Sequence, residues 1–192
     1  MANNCYNSAS IEGSKEMLDL FEIRLKEATK EIEHLWWKTY FDVLGLPEEE
    51  GISYEVFGSR WFIPFWERHS PTSGVLSGDS AWSPVSEFFR KLSDVYQLEI
   101  ESEYEECGSD FGGWYNCTNG EIIRDVCTSY HAYRFQEEDT EFFYTLIADI
   151  EDDSSYESID DLDEEFIALL SETQKQELIQ AFHNHHKNNP QP

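Results

Sequence analysis

Leu98-Glu99-Ile100-Glu101-Ser102-Glu103-Tyr104-Glu105 alternates without a slip from its first residue to its last. A period of two marks a strand with one face in a core and the other in water. Leu98, Ile100 and Tyr104 point inward on this reading, and Glu99, Glu101, Glu103 and Glu105 point outward as a straight row. Just upstream, Ser83-Pro84 reads as an N-cap followed by Pro at the first helical position. Val85, Phe88, Phe89, Leu92 and Val95 then supply the buried face of a helix. Downstream, Asp110-Phe111-Gly112-Gly113 turns into a strand over Trp114–Cys117. Asn119-Gly120, a strong hairpin signal, joins that strand to Ile122–Thr128.

Further from this centre the signals repeat. Ile52–Phe57 and Trp61–Trp66 are rich in β-branched and aromatic residues and read as strands. Ser70–Ser80 carries Pro71, Gly74 and Gly78 and reads as a loop around one short strand. Cys5–Ile11 alternates into a strand that ends at Gly13. Ser14 then caps a helix whose apolar positions are Leu18, Phe21, Leu25, Ala28, Ile32 and Leu35. Trp36, Trp37, Tyr40, Phe41 and Leu44 prolong the apolar character up to Gly45 and Pro47. A single helix over this region would be about 46 Å long, so a break into two helices is equally consistent. The order strand–helix–strand–strand–helix–strand predicts an α+β fold. It would be a ferredoxin-like split βαβ antiparallel sheet with helices on one face, an extra hairpin and a C-terminal helical appendage.

The chain has 192 residues, with 13 Lys and Arg against 40 Asp and Glu, a formal net charge of −27. That balance excludes the usual basic readers of DNA and RNA, and it disfavours anionic membranes. Disordered acidic chains are poor in aromatics, whereas aromatics make up 15% of this one, so a packed core is expected. No apolar run reaches a membrane span, and Met1-Ala2-Asn3-Asn4 has no signal-peptide character, so a cytoplasmic location in a host cell is expected. Cys5, Cys107, Cys117 and Cys127 form no C-x-x-C pair and read as free or buried thiols.

Composition shifts after Phe135. Residues 137–192 hold 16 acids and two bases, while residues 1–136 hold 24 acids and 11 bases, so 56 residues carry half of the charge. Phe142, Phe143, Leu146 and Ile147 suggest one helix there, and Leu162, Phe166, Leu169 and Leu170 another. Ser171-Glu172-Thr173-Gln174 matches a capping box for a last helix bearing Leu178, Ile179 and Phe182. The expected division is residues 1–135 as the ferredoxin-like domain and 136–192 as an acidic helical extension packed on it.

Three motifs in order are familiar. Cys5-Tyr6-Asn7 leads to Ile11-Glu12-Gly13; Ser77-Gly78-Asp79-Ser80-Ala81-Trp82-Ser83-Pro84 follows; then comes Tyr104-Glu105-Glu106-Cys107-Gly108-Ser109-Asp110-Phe111-Gly112-Gly113 with Gly120-Glu121 beyond it. Residues 3–126 on this basis resemble the YubB-type, or Api92-like, ferredoxin-like family. Asn4 departs from the pattern, because a Trp is common there, and the acidic helices after Phe135 have no counterpart in it. The resemblance implies the fold and a habitat on phages, plasmids and other mobile elements. It implies no activity and no catalytic residues.

Two acidic groups are the candidate site residues. The first is Glu99, Glu101, Glu103, Glu105 and Glu106, whose strand spacing of about 6.6–6.8 Å per two residues is close to that of successive phosphates on a nucleic-acid strand. The second is Asp149, Glu151, Asp152, Asp153, Asp160, Asp161, Asp163, Glu164 and Glu165. Residues 149–160 distantly resemble a calcium loop, but Ser154 and Asp160 stand where Gly and Glu are required. His183 and His186 sit one helical turn apart near the end, without a completing ligand, and His69 and His131 are lone histidines. No metal, cofactor or catalytic residue is assigned, since no catalytic motif occurs. The expected function is that of a phage- or plasmid-encoded acidic nucleic-acid mimic and not of an enzyme. Its partner would be a basic nucleic-acid-binding complex of the host, a CRISPR effector or restriction enzyme, with no direct contact to nucleic acid or membrane. A protein-binding adaptor using the Leu18–Leu44 helical region is the alternative, and a metal-dependent hydrolase built on the acidic clusters is a third reading.

Overall fold

The computed structural model describes residues 4–30, 35–47, 56–138, 140–153 and 158–188. Strands β1 (Asn4–Glu12), β2 (Phe62–Ser70), β3 (Ser73–Ala81), β4 (Glu99–Glu106), β5 (Phe111–Thr118) and β6 (Glu121–Thr128) form one sheet in the order β2-β3-β1-β4-β5-β6. Helices α1 (Lys15–Ala28) and α2 (Trp37–Leu44) connect β1 to β2, and α3 (Ser86–Tyr96) connects β3 to β4. β1 is antiparallel to both of its neighbours, β3 and β4, and β3 is antiparallel to β2. Each crossover therefore steps over one strand, which is the ferredoxin-like split βαβ, and β5 and β6 continue the sheet beyond it.

The inner face of the sheet carries Cys5, Ala9, Ile11, Phe62, Leu76, Leu98 and Ile100, all buried. Phe21 of α1 meets Trp66 of β2 edge-on, and Phe88 and Phe89 of α3 lie against Phe62. The Leu18–Leu35 stripe belongs to this core, since Leu18, Phe21, Leu25 and Leu35 are buried; Ile32 lies outside the described residues. The expected strand at Ile52–Phe57 lies mostly outside them too, but Val56 and Phe57 form a helical turn, and Phe57 stacks on Tyr40 at 4.3 Å. Burial pushes the thiol of Cys5 up to about 12 and that of Cys117 up to about 11, and all four cysteines are free.

Ser70–Ser80, expected as a loop around one short strand, forms most of the nine-residue strand β3. Its low β-propensity is overridden because it is hydrogen-bonded on both sides, by β2 and β1. Gly78 has φ +147, and a Cβ there would collide with the carbonyl of Ile63 on β2, so the glycine permits the close approach. Ser83 does not cap α3, whose N-cap is Val85. Its hydroxyl donates to Gly58 O at 2.6 Å, and the buried Asn7 caps the helix from β1 by accepting from Val85 N at 3.1 Å. The Asn7 amide also donates to Cys5 O at 2.9 Å and Ser80 Oγ at 2.8 Å. The register pairs Cys5 with Ser80 and Asn7 with Gly78, so two of the family-like motifs are one structural joint.

The chain divides into two compact units, Met1–Ser109 with Gly113–Cys127, and Asp110–Gly112 with Thr128–Pro192. The division falls at Cys127/Thr128 and not at 135, because helix α4 (Tyr130–Glu138), which the sequence did not signal, packs with the helices that follow it. Those are α5 (Thr140–Asp153), α6 (Glu164–Leu169) and α7 (Glu172–Asn188). Phe143, Leu146, Ile150, Phe166, Leu178 and Phe182 form a separate buried core for this second unit. The expected capping box is present: Gln174 N donates to Ser171 Oγ, and Ser171 N donates to Gln174 Oε1 at 3.0 Å. No helix among the described residues is long and apolar enough to cross a membrane.

Candidate functional site

β4 buries Ile100, Ser102 and Tyr104 and turns Glu99, Glu101, Glu103 and Glu105 to the outer face, as the alternation requires. Glu99 and Glu101 are exposed, and Glu103 and Glu105 are half-buried. Glu106 falls on the inner parity. It is buried, its Oε1 accepts from Gly108 N at 3.1 Å, and it does not belong to the surface row.

Register builds the rest of this outer face. Across β2, β3, β1 and β4, Ile63, Asp79, Tyr6 and Glu105 form one row, and Phe65, Ser77, Ser8 and Glu103 the next. Glu67, Val75, Ser10 and Glu101 form a third. Ser73, Glu12 and Glu99 close the pattern, with Glu12 directly opposite Glu99. A floor of serines thus runs between an apolar edge, where Phe65 is 64% exposed, and a carboxylate ridge. Like charges directly opposite each other on a sheet are destabilising, so the Glu12–Glu99 pairing is a standing cost within the fold. Glu12, Glu67 and Asp79 are the acids of this face that sequence reasoning missed. Glu12 is legible in the alternation of Tyr6, Ser8, Ser10 and Glu12; Glu67 and Asp79 needed the register.

The second acidic group separates into different roles inside the second unit. Asp149 and Glu151 lie on the exposed side of α5, and Glu151 accepts from Asn184 of α7 at 2.8 Å. Residues 149–153 lie in helix α5, and residues 154–157 lie outside the described residues. Asp160 and Glu164 are exposed. Asp161 accepts from Ser158 N at 2.8 Å, closing a short capping box, and Asp163 caps α6 by accepting from Phe166 N at 2.6 Å. Glu165 accepts from the Thr128 hydroxyl at 2.6 Å and Ser129 N at 3.1 Å, and these two donors hold its carboxyl below the usual carboxylate range. Helix N-termini draw in acids because their orphan N–H groups and dipole favour negative charge.

Other candidates resolve individually. Trp114 is buried, with the Arg124 guanidinium 4.3 Å from its ring, whereas Trp82 is half exposed. His183 is exposed on α7. A pocket of about 340 Å³ beside Arg24 is lined by Glu27, Phe41 and Asp42, but the guanidinium is engaged by Leu44 O and Tyr96 Oη, both at 3.1 Å.

Residues 61–147 match the model of a family described as a ferredoxin-like domain in Api92-like protein. The match runs from the start of β2 into α5, so β1 lies outside it. The fold is similar to the crystal structure of a protein api92 from Yersinia pseudotuberculosis, at 9% identity and a TM-score of 0.43, over 68% of this chain and 98% of that one. No curated protein matches the chain.

Proposed function

We propose, from the premise that this chain carries the ferredoxin-like domain of Api92-like proteins, that it is a binding protein and not an enzyme. Its outer sheet face would occupy a basic, phosphate-binding groove of a nucleic-acid-binding complex. The observation that carries this reading is the carboxylate ridge Glu99–Glu101–Glu103–Glu105, held at strand spacing on an outer face that also exposes Ile63 and Phe65. Carboxylates in a row meet the Lys and Arg that otherwise hold successive phosphates, and a net charge of −27 steers encounter with a basic surface. Charge alone confers little affinity, whereas exposed aromatic and aliphatic side chains beside it supply anchors. The class of partner proposed is a host defence complex, a CRISPR effector or a restriction enzyme. The helical-seam alternative is less favoured, because Leu18, Phe21, Leu25, Phe41 and Leu44 are buried, and it would rest on the exposed Ile23 and Trp36.

Displacement of fluorescent DNA from a purified effector or restriction enzyme tests the proposal. Wild-type chain is expected to displace it, less strongly as salt rises from about 50 to 200 mM. The triple variant Glu101→Gln, Glu103→Gln, Glu105→Gln keeps side-chain shape and is expected to lose about tenfold or more in potency. Equal potency of variant and wild type would overturn the reading, as would failure to capture any basic nucleic-acid-binding complex from host lysate.

A further inference from the structure

Asp110, His131 and Asp163 are distant in sequence and meet inside the second unit. His131 Nδ1 stands 3.3 Å from Asp163 Oδ2 and 3.7 Å from Asp110 Oδ1, and one donor atom of each side chain lies within 4.8 Å of the other two. Neither His131 Nδ1 nor Asp163 Oδ2 makes a hydrogen bond, although the two stand at ion-pair distance from each other. Two ligands of a single tetrahedral zinc ion, each about 2.0–2.1 Å from the metal, stand about 3.3–3.4 Å apart. The His131–Asp163 separation is that of two ligands around a shared ion, and Asp110 stands slightly farther out.

An independent observation concerns Asp163. Its Oδ1 accepts from Phe166 N and from Ser129 Oγ, both at 2.6 Å, which turns Oδ2 toward His131. Oδ2 is buried from solvent and accepts no hydrogen bond. A buried carboxylate oxygen without a donor is costly, and a cation in front of it removes that cost. The other groups are oriented as metal ligands are by their outer partners. Tyr130 N donates to Asp110 Oδ1 at 3.2 Å, and the His131 ring lies against Phe142 and Phe166. Asp110 is 55% exposed, which gives an ion a way in and leaves a coordination position for water.

We propose that Asp110, His131 and Asp163 bind one divalent transition-metal ion, with zinc the best fit. One imidazole and two carboxylates suit zinc; calcium and magnesium prefer larger, all-oxygen sets. The ion ties Asp110 to the start of α4 and to the N-cap of α6, so binding stabilises this unit. The test is calorimetric titration of the metal-free full chain with zinc chloride, paired with thermal melts. One ion per chain at about micromolar affinity or tighter is expected, with a higher melting temperature. Asp110→Asn, which changes an exposed group, and His131→Gln are each expected to weaken binding at least tenfold. Cys107→Ser, Cys127→Ser and His183→Ala, which remove other accessible ligand atoms, are expected to leave it unchanged. A stoichiometry well below one, or wild-type affinity in Asp110→Asn, would overturn the proposal.

Discussion

Asn7 shows how much one side chain can organise. It is fully buried, donates to Cys5 O and Ser80 Oγ, and accepts from Val85 N at the start of α3. The side chain thus links β1, β3 and the N-terminus of a helix that has no cap of its own. Asn7→Ala leaves the buried Val85 N–H without its acceptor and Cys5 O with only the Ser80 hydroxyl, at a cost of about 1–3 kcal/mol. Asn7→Asp is expected to cost at least as much, because a carboxylate can accept from Val85 N but cannot donate and carries a buried charge. Urea unfolding at constant slope measures both, and a loss below about 1 kcal/mol for Asn7→Ala would contradict this account. Glu106 makes the complementary point. Nothing in its type separates it from Glu105, and only strand parity puts one inside and the other on the surface.

Elements divide by how local their causes are. β4 was legible because its period of two is uninterrupted, and the hairpin because Asn119 (φ +50) and Gly120 (φ +82) adopt the left-handed pair that Asn-Gly favours. β3 was not legible: a Ser- and Gly-rich segment becomes a strand only when neighbours pair with it on both sides. α4 was not legible either, and part of what holds its start comes from α6. Thr128 and Ser129 donate to Glu165, lowering the pKa of that carboxyl in the folded state. A carboxyl whose pKa is lowered by folding contributes stability that is present above the ordinary carboxylate range, about pH 4.3. That contribution is lost as pH falls through the lowered folded value. The melting-temperature gap between wild type and Glu165→Gln is therefore expected at pH 7 and to close between about pH 5 and 3. A gap independent of pH would refute the assignment.

For the whole molecule, like charges dominate. With a net charge of −27, self-repulsion opposes the folded state and is screened as the Debye length falls from about 30 Å at 0.01 M salt to about 8 Å at 0.15 M. Melting temperature is expected to rise by several degrees over that range, and a fall would show that attractive pairs such as Arg68 with Asp19 and Glu22 outweigh the repulsion. The sequence by itself determined the α+β class, strands β1, β4, β5 and β6, the two-part distribution of charge and the outward row on β4. These rest on period, turn chemistry and composition, which act between residues close in sequence. Only the tertiary structure decided that Ser73–Ala81 is an inner strand and that Glu67 and Asp79 join the outer face. It also decided that Asp163 and Glu165 serve as caps and that Asp110 and His131 meet Asp163. Each of these depends on strand register or on contacts between residues far apart in the chain, and no local pattern encodes which distant backbone will pair or which buried group will need a partner.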